Sequence, residues 1–318
     1  MQYDVFNGDA DGICALYQYR LANPVSKSRL ITGVKRDIAL LERLEDVENA
    51  DINVFDLSMH TNMTGLHKLL KKGNRIFYCD HHFPGDIPDS PLLSHHIDTS
   101  AQTCTSLLVN DILKGRFYQW ACCGAFGDNL TSQANLLAEQ NGLKHSETKR
   151  LKEIGELLNY NGYGAELADL NVHPAKLYQT LHAYTDPFSF YENSSTLKRL
   201  RDGYARDMEQ ALTQPEYARY GKNRVFFFPD HRWARRISGV FANVKAQENR
   251  TGAHALITRN RDGSMRISVR APLDHRAKAD VLCRQFPTGG GRAAAAGINA
   301  LPEQQLGAFL DTFKEIYS

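Results

Sequence analysis

The sequence predicts an α/β protein: an N-terminal domain built on a parallel sheet and completed by helices, followed by a smaller α/β domain in the last third. Three observations carry that expectation. The first hundred residues alternate short apolar runs with amphipathic helical stretches, the pattern of parallel strands linked by crossover helices. At 318 residues the chain is long for one hydrophobic core, so two domains are the natural division. A polar stretch, Glu192-Asn193-Ser194-Ser195, opens a charged helical run followed by Pro215, which marks a connector.

In chain order, strands are expected near residues 3–6, 30–34, 52–55 and 76–79, with helices near 12–21, 38–44 and 65–72. From residue 103 to about 184 the pattern turns mostly helical, clearest over 105–113, 117–127 and 147–158. Beyond the connector, 224–228, 254–258 and 265–269 read as strands, and 237–247, 277–285 and 303–316 as helices. The resulting division is a first domain over 1–192, a helical linker over 193–221 and a second domain over 222–318.

No stretch approaches the ~20 apolar residues that cross a bilayer, so a membrane role is not expected. The first residues run directly into a strand pattern without the basic start and apolar core of a signal peptide, and a cytoplasmic location follows. Six cysteines lack any Cys-x-x-Cys spacing and read as buried small hydrophobes. Charge is uneven: residues 215–318 carry seventeen Lys and Arg against nine Asp and Glu, about +8, which leaves about −6 for the rest. An acidic part suited to cations and a basic part suited to an anion is one reading; uneven solvated charge is the other.

The acidic residues and histidines fall where strands end. Asp9 and Asp11, in Asn7-Gly8-Asp9-Ala10-Asp11-Gly12, follow the first strand; Asp56 follows the third; Asp80-His81-His82 follows the fourth. In a parallel sheet these positions share the carboxyl edge, where α/β folds hold ligands. Gly8 and Gly12 are expected to let the loop turn sharply and aim both carboxylates inward. Carboxylates gathered so closely raise one another's pKa unless a cation lies among them, and oxygen ligands with imidazole suit manganese. Taken singly, each Asp reads first as a helix cap and His-His as a surface or packing pair; the coincidence of three strand ends favours the ligand reading. His95-His96 has no matching acidic neighbour and keeps the surface or packing reading. Asp128, at the end of an apolar helix, is a further candidate.

In the basic part, Gly289-Gly290-Gly291-Arg292 exposes backbone N–H groups and lets an anion approach closely, particularly if it opens a helix; the alternative is a flexible turn. Arg270, at a strand end, offers a charged fork for phosphate.

These motifs resemble a known family. Asp9-Ala10-Asp11-Gly12, Asp56, Asp80-His81-His82 and Asp128 follow the order and approximate spacing of the four motifs of the DHH (Asp-His-His) phosphoesterases, and Gly289-Gly290-Gly291-Arg292 resembles the glycine motif of the DHH-associated C-terminal domain. The likeness spans nearly the whole chain. It implies that Asp9, Asp11, Asp56, His81 and Asp128 bind one or two manganese or magnesium ions, with Asp56 bridging. It implies catalytic roles for Asp80, orienting a ligand, and for His82, touching the substrate phosphate, with an ion-activated water as nucleophile. Arg270 and Gly289, Gly290, Gly291 and Arg292 would bind substrate across an interdomain cleft. Two departures stand out. Asn7 lies near the place where many members carry a histidine ligand, so it is assigned a substrate contact, and the site beside Asp9 is expected to hold its ion loosely or only with substrate. Arg292 replaces a histidine that ends the glycine motif, which keeps phosphate binding and removes any acid role.

Within that resemblance the chain is most similar to the stand-alone nano-RNase and RecJ-like branch, which implies hydrolysis of short oligonucleotides. The basic second part suits a polyanion, and Phe227, Phe228 and Trp233 are candidates either for base stacking or for core packing. A nucleoside bisphosphate phosphatase, another small phosphate-ester hydrolase, and a nucleotide-binding regulator without turnover are the alternatives. Oligomeric state is left open, a homodimer included.

Overall fold

Strand β1 (Gln2–Phe6) is followed by helix α1 (Ala10–Ala22), β2 (Arg29–Ile31), a 3₁₀ turn (Leu40–Leu44), β3 (Asp51–Phe55), α2 (Met59–Lys71), β4 (Arg75–Asp80) and β5 (Leu93–Ile97). All five strands pair parallel in the order β2-β1-β3-β4-β5. The central strands are apolar because both faces are covered: Val5, Val54, Phe55 and Tyr78 are fully buried, each contributing roughly 1.5–3 kcal/mol. At the middle of β1 the buried Asp4 accepts from Arg20 Nε (2.9 Å) and Nη2 (2.5 Å) of α1 and from Asn53 Nδ2 (2.9 Å) of β3, which fixes the angle at which α1 leaves the sheet.

Helices α3 (Thr105–Ile112), α4 (Tyr118–Gly127), α5 (Thr131–Gln140), α6 (His145–Gly162), α7 (Pro174–Leu181) and α8 (Pro187–Asn193) follow, then the long α9 (Ser195–Leu212). This computed structural model describes every residue, Met1–Ser318, and divides into two units, Met1–Asp202 and Gly203–Ser318, with the division inside α9. The second unit holds β6 (Glu216–Tyr220), β7 (Asn223–Phe228), α10 (Arg232–Glu248), β8 (His254–Arg259), β9 (Met265–Arg270), α11 (Ala279–Cys283), β10 (Gly289–Arg292), β11 (Ala295–Leu301) and α12 (Leu306–Tyr317). Its sheet runs β10-β11-β9-β8-β7-β6, antiparallel except for β7 against β8. The α/β class and the parallel first sheet are as the sequence predicts.

The structure decides three local readings. His95 and His96 lie on β5, an edge strand with exposed residues and no apolar run to announce it. The triple glycine opens no helix; it is the edge strand β10, paired with β11 from Gly289↔Ile298 to Arg292↔Ala295. Phe228 is core, its ring centroid 4.9 Å from Phe241 and 5.0 Å from Trp233, and Phe227 lies 5.6 Å from Tyr217. All six cysteines are free and buried, and no helix is long and apolar enough to cross a membrane.

Candidate metal centre

Because β1, β3 and β4 are neighbours, the segments that leave them emerge side by side, at the point where strand order reverses between β1 and β3. Gly8 and Gly12 serve this edge through close approach of backbone rather than through a left-handed conformation. Neither has positive φ; a Cβ on Gly12 would come 2.3 Å from the Asn7 carbonyl oxygen, and one on Gly8 1.9 Å from that of Gly33. Asp9 caps α1, its Oδ1 accepting from Gly12 N at 3.1 Å. Asp11, in the first turn, is held by the start of α3: Oδ2 accepts from Thr105 N at 2.8 Å and Oδ1 from Ser106 N at 2.7 Å. Asp56 follows β3 with φ of 57°, and Thr105 Oγ1 donates to its Oδ1 at 3.3 Å. His81 Nε2 lies 3.5 Å from Asp56 Oδ1 and 3.9 Å from Asp128 Oδ2. His82 Nδ1 is 2.8 Å from Asp80 Oδ1 and 4.0 Å from Asp56 Oδ1.

Two overlapping donor groups result, Asp56-His81-His82 and Asp11-His81-Asp128, the chosen ligand atoms of each lying within 4.8 Å of one another. Neither group includes Asp9, although its carboxyl meets that of Asp56. Asp9 Oδ2 accepts from Lys35 Nζ at 2.5 Å, and Lys35 also donates to Asn159 Oδ1 at 3.0 Å and lies 3.5 Å from Asp128 Oδ1. Asn7 is buried; its Nδ2 donates to the Lys35 carbonyl at 3.2 Å and its Oδ1 has no partner. Lys35 and Asn159 are absent from the sequence-derived set. Lys35 follows β2 and so reaches the same sheet edge as the acids, but nothing in its own segment marks it, because its partners Asp9 and Asp128 lie far along the chain. Asn159 lies within α6, where no local pattern marks it.

The electrostatics divide along the same line. Burial, and then Asp11, Asp9, Asp80 and Asp128, push the Asp56 carboxyl well above the usual range. Asp128 is also raised, by burial and by Asp11 and Asp9 against the pull of Lys35. Asp9 goes the other way: burial would raise it, but Lys35 holds it below its ordinary value. Buried carboxylates that repel one another beside an imidazole fit a hard-to-borderline divalent cation. Asp80 orients His82, not His81. Burial works against protonation of His82, yet the Asp80 bond and charge raise its pKa, leaving Nε2 as the free ring atom.

No family model and no curated protein matches this sequence. Solved structures do. RecJ from Thermus thermophilus, in complex with Mn2+, matches with a TM-score of 0.67 at 18% identity, over 99% of this chain and 51% of that one. The DHH domain of a member of a ribosomal-protein family matches at 0.64 and 14% identity, over 99% and 86%. This chain has the DHH fold. A Vibrio pGpG-specific phosphodiesterase matches at 0.56 and 12% identity, over 99% of both chains. The chain spans about half the length of the Thermus RecJ.

In the second unit of this DHH-fold chain, sheet register aligns the two arginines singled out from the sequence. Arg292 pairs with Ala295, and Ala295 with Arg270. Directly opposed residues share a sheet face, so Arg292 and Arg270 flank the small Ala295, two strand spacings or ~10 Å apart. Arg270 Nε donates to Asn243 Oδ1 of α10 at 2.8 Å and Nη1 to Ser268 Oγ at 2.9 Å, which sets the direction of its guanidinium. Gly290 would meet nothing within 4 Å if it carried a Cβ, so the backbone there is open on that side; Gly289 and Gly291 are closely packed.

Proposed function

We propose that this chain is a metal-dependent phosphoric ester hydrolase that cleaves short oligonucleotides, with manganese or magnesium held by Asp11, Asp56, His81 and Asp128. The observation that carries the proposal is the convergence of these side chains from three strand ends and a helix end, with buried carboxylates left repelling one another. A divalent ion bound there supplies Lewis-acid chemistry, activating water and offsetting charge on the phosphoryl oxygens. The chain's own groups do the rest. The α3 amides keep Asp11 fixed. Asp80 holds His82 at Nδ1, so that Nε2, with its proton, is presented to a phosphoryl oxygen. Arg270 and Arg292 receive substrate phosphate on the second sheet, beside the open backbone at Gly290. Support for the metal and for a small substrate comes from the neighbours: RecJ in complex with Mn2+ or Mg2+, and a phosphodiesterase specific for pGpG. A cytoplasmic setting suits both the substrate and six free thiols.

The test is a substrate panel with added manganese: RNA and DNA of two to five nucleotides, nucleoside bisphosphates, cyclic dinucleotides and pyrophosphate. Metal-dependent cleavage of the oligonucleotides is expected, with Arg270→Gln raising KM about tenfold at little change in kcat. Turnover of the bisphosphates alone would move the substrate assignment, and binding without turnover of any member would replace the hydrolase by a regulator.

A further inference from the structure

We infer that Lys35 stands in for a second divalent ion, so that this centre binds a single ion on the side formed by Asp11, Asp56, His81 and Asp128. The inference rests on the metal-centre reading above and concerns how many ions that centre admits.

Lys35 is placed for this by its backbone as well as its side chain. Its N–H donates to the Gly162 carbonyl at 2.9 Å and its own carbonyl accepts from Asn7 Nδ2 at 3.2 Å, so the segment after β2 is held from both sides. The ammonium then has three directions to fill. It meets Asp9 Oδ2 at 2.5 Å, Asn159 Oδ1 at 3.0 Å and Asp128 Oδ1 at 3.5 Å, with the Tyr163 ring centroid 5.8 Å away. Both Asp9 oxygens accept hydrogen bonds, as both Asp11 oxygens do, but one Asp9 partner is the Lys35 ammonium, a cation where Asp11 has only backbone N–H groups. Both groups of donors close enough to share an ion leave Asp9 out.

Charge argues the same way. With Asp80 paired to the His82 that it binds, Asp9, Asp11, Asp56 and Asp128 bring four negative charges, and Lys35 returns one. One divalent ion then leaves a single negative charge. A second would make the centre positive and set a dication against an ammonium that shares its carboxylate. In a chain without Lys35 the same four carboxylates would need two divalent ions for neutrality. Asn7, the neutral residue in the first motif, anchors the Lys35 segment, so the two residues form one arrangement.

The experiment counts ions on the full-length chain without relying on activity. Manganese bound per chain is measured by equilibrium dialysis with elemental analysis, and the bound ion is examined by electron paramagnetic resonance. The wild type is expected to hold one ion with the signal of an isolated Mn2+. Lys35→Ala is expected to hold two, with a spin-coupled signal, while Lys35→Arg stays at one. Asp9→Asn is expected to keep its single ion, because Asp9 does not ligate it. Two coupled ions in the wild type, one ion in a folded Lys35→Ala, or loss of the ion in a folded Asp9→Asn would each overturn the role given to Lys35 and leave the metal centre standing. Failure of the wild type to bind any manganese would sink both readings.

Discussion

Asp56 occupies the left-handed backbone region, φ 57°, directly after a buried strand. That conformation costs about 1–3 kcal/mol for most side chains and least for Asp and Asn. It turns the carboxylate toward Asp11 and His81 and away from α2, whose cap is Ser58. A conservative change therefore separates charge from backbone. Asp56→Asn keeps the conformation and removes the most repelled carboxylate, so without metal the variant should be more stable than wild type by roughly 1–3 kcal/mol. Thermal denaturation with and without manganese should also show that the metal-induced rise in Tm is lost. An Asp56→Asn chain that is less stable than wild type in metal-free buffer would show that the cluster is not under electrostatic strain. At this scale the sequence is ambiguous in an instructive way. Asp9 is indeed a helix cap, as an Asp after a strand commonly is, and it also meets Lys35, so the two readings are not exclusive. Lys35 itself escapes a reading of the sequence because its meaning comes from Asp9 and Asp128, 26 and 93 residues away.

Elements are legible in proportion to how much of them is buried. β1, β3 and β4 are covered on both faces and read as apolar runs. β5, β6 and β10 lie at sheet edges and hold no buried residue, so they lack the apolar run that announces a strand. β8 shows what burial does to a polar residue in a strand. His254, at its start, is buried; Nε2 donates to the Asn249 carbonyl at 3.0 Å and Nδ1 has no partner. Burial, helped by Arg224 and Lys245 against the Asn249 bond and Glu248, holds its pKa below the ordinary 6.5. The unfolded chain therefore takes up a proton that the folded chain resists. Stability from this residue is complete above about pH 6.5 and falls as pH drops from there toward the lowered folded value. Chemical denaturation from pH 7.5 to 5 should show a shallower loss in His254→Gln than in wild type. Equal slopes would mean that His254 does not titrate between the two states.

At the scale of the whole molecule, the uneven charge visible in the sequence acquires a location: acidic residues gather on the edge of the parallel sheet, and the basic excess includes the two aligned arginines of the second sheet. No single stretch contains the centre. Its residues span Asp11 to Asp128, and only the strand order brings them together, which is why the spacing of motifs has to be read along with the fold. The cysteines give each unit its own counter. Cys14, Cys79, Cys104, Cys122 and Cys123 belong to Met1–Asp202, and Cys283 alone to Gly203–Ser318. Burial raises all six thiols, Cys122 and Cys283 to about 12, so the native chain should ignore a disulfide reagent at neutral pH. Along a denaturant series, five thiols becoming reactive report the opening of one unit and a sixth the opening of the other. A chromogenic titration can thus say which half of the molecule lets go first, without a label, a truncation or an assay of turnover.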